Sequence, residues 1–201
     1  MDPTLYEHYK SLAQQYGSSY LSAQYSSRES QERRYEILSQ IAPLQGCKIL
    51  DFGCGAGHLL TYLTQSGIQC DYTGVDGVED FFPLAKKVNP HGRFGYWDEF
   101  AAEQFDYAFV SGVFNNRMAD NVAFYQQTLR ELFARVRHGV AFNMLSSYVD
   151  YFDEGLFYVS PEQVFTFVKR ELTPFVTLRH DYLVKAGSIP FEFAVYAYKQ
   201  G

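Results

Sequence analysis

The chain has 201 residues, 47% of them hydrophobic and 20% charged, with a net charge of −6. That length suits one domain with a full α/β core, no apolar run approaches a membrane span, and the acidic balance lacks the basic footprint of a nucleic-acid binder, Arg33-Arg34 and Lys86-Lys87 being only short pairs. Cys47, Cys54 and Cys70 lack the spacing of a disulfide framework or a zinc site; with the polar, acidic start Met1-Asp2-Pro3-Thr4 they point to reduced thiols in a cytoplasmic protein.

Residues 1–45 read as a helical arm or lid, and 46–201 as one compact unit. Leu5 to Gln15 is predicted helical, and so is Glu29 to Ile41, where Tyr35, Leu38 and Ile41 are spaced along one face. Between them, Tyr16 to Arg28 is rich in Ser, Gly and Tyr, as a mobile loop or lid would be. Aromatic residues reach 18% of the chain; Tyr suits both cores and small-molecule pockets because it joins an apolar body to a polar tip.

The most informative stretch follows. Ile49 to His58 reads Ile-Leu-Asp-Phe-Gly-Cys-Gly-Ala-Gly-His, a buried strand ending in an acidic residue and running into a glycine-rich turn. A helix then begins, aiming its free amide donors at whatever occupies the turn. A dinucleotide-binding turn would be Gly-x-Gly-x-x-Gly, with its third glycine at position 58, where this chain has His. The next strand, Cys70 to Val75, delivers Asp76 at its carboxyl end. A carboxylate there can accept hydrogen bonds from both hydroxyls of a ribose.

From residue 47 onward, strands near 47–52, 71–75, 93–96, 105–111 and 139–145 alternate with helices near 58–65, 80–88 and 121–137, the mark of a parallel sheet covered on both faces. Gly139 is read as closing the third of these helices. Another helix starts at Ser160-Pro161-Glu162-Gln163, with Ser as cap, Pro in the first turn and Gln completing a capping box. Phe175 to Lys185 and Phe191 to Lys199 then read as two strands joined by 186–190, a loop short enough to require an antiparallel hairpin.

The Asp-x-Gly-x-Gly-x-Gly turn at 51–57 together with Asp76 resembles motif I and the following acidic strand end of the class I S-adenosylmethionine-dependent methyltransferases of the small-molecule type. That resemblance implies an α/β, Rossmann-like, doubly wound and mostly parallel sheet, closed by an antiparallel C-terminal hairpin and carrying an N-terminal helical cap. It implies S-adenosyl-L-methionine as cofactor, with S-adenosyl-L-homocysteine as product. Asp51, Gly53, Gly55 and Gly57 would hold its methionine part and Asp76 its ribose, with Cys54, His58 and Gly77 also binding the cofactor; Tyr96 or Trp97 would cover the adenine ring, and Asp98 would accept from the adenine amino group. Ser111, Gly112, Val113 and Asn115, at the end of the fourth strand, would face the cofactor or the acceptor. Arg28, Gln31 and Arg34 are candidates for the cofactor's carboxylate, since Arg matches carboxylates bidentately.

For the chemistry, His8, His180, Asn143 and Asp153 are the catalytic candidates, none secure. His58 sits in the turn and His180 beside Asp181 within a strand-like run. The segment Val149 to Val159 is expected to wall the acceptor pocket. An amine acceptor need only be neutral at attack, whereas a hydroxyl wants a base. No carboxylate spacing suggests a divalent-metal site, so a metal-independent enzyme of secondary metabolism is expected, acting on a small molecule and not on nucleic acid or membrane; monomer and homodimer both stay open. The alternatives are an aminopropyltransferase on the same fold, which needs an acidic channel that Asp150 to Glu154 supplies only in part, and a non-catalytic cofactor- or partner-binding module. A nicotinamide oxidoreductase fits the glycine spacing worst.

Overall fold

The computed structural model describes residues 2–200. Eight strands form one sheet: β1 (Lys48–Phe52), β2 (Asp71–Val75), β3 (Arg93–Gly95), β4 (Phe105–Val110), β5 (Val136–Ser146), β6 (Tyr158–Val159), β7 (Phe175–Arg179) and β8 (Glu192–Tyr198). Their order is β3-β2-β1-β4-β5-β8-β7, with β6 beside β5. The pairs from β3 across to β5 are parallel, while β8 runs antiparallel to both β5 and β7. Six helices cover the sheet: α1 (Pro3–Tyr16), α2 (Arg28–Ser39), α3 (His58–Gln65), α4 (Phe81–Val88), α5 (Asn121–Arg135) and α6 (Pro161–Phe167). The expected α/β architecture is therefore present, parallel centre and antiparallel close included.

Strand alternation divides the core in two. Leu50, Ala108 and Phe142 face Leu129 and Leu132 of α5 and Val164 and Phe167 of α6. Their neighbours Ile49, Phe109 and Ala141 face Ile37 and Leu38 of α2 and Leu59 and Leu63 of α3. Successive side chains point to opposite faces of a strand, so these apolar runs need helices on both sides. A third cluster joins Ala13 of α1 to Ala56, Val78 and Phe81. It lays α1 against the glycine turn and the start of α4.

Three details differ from the sequence reading. Gly139 does not close a helix: α5 ends at Arg135 and β5 begins at once with Val136. Its role is close approach, since a Cβ at Gly139 would lie 2.8 Å from the Ala197 carbonyl oxygen of β8. The hairpin is real, but its strands stop at Arg179 and resume at Glu192, so the loop is residues 180–191 rather than 186–190. Tyr182 and Val184 look like strand residues because both are buried, yet they pack into the core from that loop. Ser160 does cap α6, accepting from the Gln163 amide, but among the described residues no reciprocal bond from the Gln163 side chain completes the expected capping box; a short π-helical turn, Val168–Leu172, follows the helix.

Candidate active site

The site is built where β1 ends. Gly53, Gly55 and Gly57 all have positive φ, at 77°, 49° and 75°, a region closed to most side chains. The amides of Gly53 and Cys54 donate to the Val75 carbonyl, at 2.8 and 3.0 Å, and so tie the turn to β2. A Cβ at Gly53 would come within 2.3 Å of Val113 Cγ2, whereas one at Gly55 would meet nothing within 4 Å. The turn is thus pressed against the β4 loop on one side and open on the other.

Asp76 faces this opening. One carboxylate oxygen accepts from the Gly55 amide at 2.9 Å and the other from the Val78 amide at 3.0 Å. Each oxygen keeps a lone pair for a ligand hydroxyl. Burial pushes its pKa up, and the amide bonds oppose that shift. Asp51 is buried behind the turn and accepts from the Tyr72 hydroxyl at 2.5 Å. Desolvation raises its pKa from 3.8 to about 7, against the lowering effect of that hydrogen bond.

A cleft of about 1060 Å³ opens over the carboxyl ends of the parallel strands, where ligands bind in open α/β sheets. Among the expected residues, Gln31, Arg34, Asp51, Gly53, Cys54, His58, Asp76, Gly77, Trp97, Asp98, Ser111, Gly112, Val113, Asn115 and Asp153 line it. Gly55 and Gly57 are buried within the turn beneath.

Four expected residues lie elsewhere. Arg28 is on the outer face of α2, 3.9 Å from Glu32. His8 is exposed on α1. His180 hydrogen-bonds the Pro190 carbonyl at 3.0 Å in the 180–191 loop. Asn143 is buried below the cleft, accepting from the Gly112 amide at 2.9 Å and donating to Glu192 at 3.1 Å. His8 and His180 are not among the residues that line the cleft, and Asn143 supports the β4 loop.

Arg34 also proves different from a free guanidinium. Its Nε and Nη2 donate to Glu192 Oε2 at 2.9 and 2.8 Å, and its Nη1 donates to the Ser30 carbonyl at 2.8 Å. The Tyr25 ring stacks 5.1 Å from the guanidinium, and its hydroxyl reaches Ser111 Oγ at 3.2 Å. Glu192 also accepts from Tyr182 at 3.2 Å. This buried network links the arm, the β4 loop and β8. Glu192 gave no signal in the sequence, because its partner stands 158 residues away. Tyr9 was missed as well: its hydroxyl accepts from Asn116 Nδ2 at 2.6 Å in the cleft wall.

His58 is not a free base either. Its Nε2 lies 2.7 Å from the Ser18 carbonyl and its Nδ1 3.1 Å from Gln31 Nε2. That arrangement fits the neutral tautomer, with Nε2 donating and Nδ1 accepting, and burial lowers its pKa accordingly.

A family model described as a methyltransferase domain matches residues 43–150, more than half of the chain. The chain belongs to this methyltransferase family. The methyltransferase is 37% identical over 143 residues to Rv1506c of Mycobacterium tuberculosis (strain ATCC 25618 / H37Rv), itself named as a methyltransferase, covering 67% of this chain and 86% of the relative. Its fold is that of the class I S-adenosylmethionine-dependent methyltransferases. It matches magnesium protoporphyrin IX methyltransferase from Synechocystis PCC 6803 with bound SAH at a TM-score of 0.65 and 12% identity, over 98% of this chain and 94% of that one. It also matches the DhpI–SAH complex at a TM-score of 0.64 and 16% identity, over 94% and 92% of the two chains.

The methyltransferase's three cysteines are free. Among the described residues no group of three His, Cys, Asp or Glu is placed to hold a metal ion, and no helix is long and apolar enough to cross a membrane.

Proposed function

We propose that this methyltransferase moves a methyl group from S-adenosylmethionine to a nitrogen or oxygen atom of a small-molecule acceptor, in the cytoplasm and within secondary metabolism. The observation that carries the cofactor assignment is the Asp76 carboxylate, fixed by two amides opposite the unfilled space in front of Gly55. Asp76 and Gly77 would take the ribose. Asp51, Gly53 and Cys54 would flank the methionine part, with Gly55, Gly57 and His58 shaping the turn. Trp97 and Asp98 would meet the adenine, and Ser111, Gly112 and Val113 would form the floor beneath the reacting atoms. Gln31 and Arg34 would support the site through His58 and Tyr25. Residues 1–45 would serve as the lid of the 46–201 domain.

When bound, the cofactor supplies a methyl carbon on a positively charged sulfur. The protein's part is alignment and exclusion of water. The β4 loop is held by Gly112 donating to Asn143, and the arm is held by Tyr25 on Ser111. The carboxylates of Asp51 and Asp76 favour a cationic ligand.

Calorimetric titration with S-adenosylmethionine and S-adenosylhomocysteine tests this reading, using wild type and Asp76→Ala with thermal melts as folding control. Micromolar binding lost in the variant is the expected result. A folded wild-type protein that binds neither compound would refute it. Mass analysis of the acceptor product separates addition of a methyl group from addition of an aminopropyl group.

A further inference from the structure

The charge around the cleft is one-sided. Asp76, Asp98, Glu131 and Asp153 all line it, while the lining guanidinium, Arg34, is neutralised by Glu192. An anionic acceptor entering here meets carboxylates and no free cation among the lining residues, which opposes its approach.

A second observation asks for a hydrogen-bond donor. Asn115 Oδ1 is buried and has no partner among the described residues, and Asn115 lines the cleft just beyond β4. Its surroundings are rigid: Asn115 O accepts from the Phe157 amide at 2.8 Å, and the Arg117 amide donates to Gly155 O at 2.9 Å. These bonds zip the wall that carries Asp153 to the wall that carries Asn115. An unpaired buried acceptor is costly unless a ligand N–H or O–H satisfies it. Asp153 Oδ1 takes the Gly155 amide at 2.7 Å, and the exposed Asp153 lines the cleft.

No imidazole or phenol that lines the cleft is free to take a proton, which leaves only its carboxylates. Both ring nitrogens of His58 are engaged, and burial pushes the phenols of Tyr9 and Tyr25 up, so they keep their protons. A neutral amine brings its own lone pair and needs no base before attack. Within the cleft, Trp97, Phe124 and Leu156 offer a surface for the apolar body of such a molecule.

Resting on the proposed methyl transfer, we infer that the acceptor is an alkylamine carrying an aromatic group, held between Asn115 Oδ1 and Asp153, and that carboxylate- and phosphate-bearing acceptors are rejected. The nitrogen lone pair forms the new N–C bond as the C–S bond breaks and its electron pair stays on sulfur. The surplus N–H proton passes to Asp153, which is open to solvent.

The test uses the full chain saturated with S-adenosylhomocysteine and ligand-observed NMR with two matched probes, phenethylamine and 3-phenylpropionate. The amine is expected to bind at least about tenfold more tightly, and Asp153→Lys to erase that preference while S-adenosylhomocysteine still binds. Equal or tighter binding of the carboxylate, or no binding of either probe to the loaded protein, overturns the inference and leaves the cofactor assignment standing. Failure of S-adenosylhomocysteine itself to bind removes the methyl-transfer reading and this inference with it.

Discussion

Replacing Glu192 by Ala isolates the buried network. The side chains of Arg34 and Glu192 are only 9% and 1% exposed, so the substitution leaves a guanidinium dry and without a counter-ion. It also removes the acceptor used by Asn143 Nδ2 and the Tyr182 hydroxyl. Breaking one side of such a pair costs about 3–5 kcal/mol. For a chain of this size that corresponds to a fall in Tm of roughly 6–20 °C. Glu192→Gln keeps an acceptor for Asn143 and Tyr182 and loses only the charge, so about 1–3 kcal/mol is expected. The double replacement Arg34→Met with Glu192→Leu removes both charges and should be less damaging than Glu192→Ala, because no unpaired charge remains. Urea denaturation of the four proteins, cross-checked by thermal melts, reads these differences. A loss under about 1 kcal/mol for Glu192→Ala, or a double variant as unstable as the single one, would refute the reasoning.

Other groups carry further expectations. With a folded pKa of about 7 against an ordinary 3.8, Asp51 keeps a proton that the unfolded chain releases, so its contribution to stability falls as pH rises between those values. Asp51→Asn should gain most over wild type at about pH 8 and least near pH 4, as urea melts across that range would report. A cationic ligand beside Asp51 favours its ionised form, so binding of S-adenosylmethionine near neutral pH should release part of a proton; equal calorimetric heats in phosphate and Tris would contradict this. Glu103 shows the opposite sign. Hydrogen bonds from Arg93 and Lys48 lower it to about 2, so its contribution is complete above about pH 4.5 and disappears as pH falls towards 2. Glu103→Gln should cost about 1 kcal/mol at neutral pH and nothing in strong acid. Gly53→Ala forces a side chain into positive φ and onto Val113 Cγ2. A double-mutant cycle with Val113→Ala should show a favourable coupling of about 1 kcal/mol or more as the clash is relieved.

The glycine turn and Asp76 were legible because each is a local demand. Positive φ needs glycine, and a strand end places the next carboxylate in the crevice. The parallel strands were legible for a related reason: helices cover both faces, so each strand is a continuous apolar run. Gly139 misled because a glycine after an apolar helix resembles a stop, whereas its actual constraint is the Ala197 carbonyl of a strand nearly sixty residues later. Tyr182 and Val184 misled because alternating burial imitates a strand even when the backbone has left the sheet. Arg34 was noticed but its partner was not, for the same non-local reason. Nothing near it in sequence announces Glu192, and only the folded chain reveals that its charge is already spent.

The seat of His58 bears on how the enzyme behaves when its surroundings acidify. Gln31 presents an amide that can turn either its nitrogen or its oxygen toward Nδ1. A protonated ring would still donate through Nε2 to Ser18 and, after a half-turn of that amide, through Nδ1 to Gln31. Had an aspartate stood at position 31, this contact would tighten in acid; a lysine there would make it break. With glutamine the clasp between arm and turn keeps both of its hydrogen bonds whichever charge the ring carries.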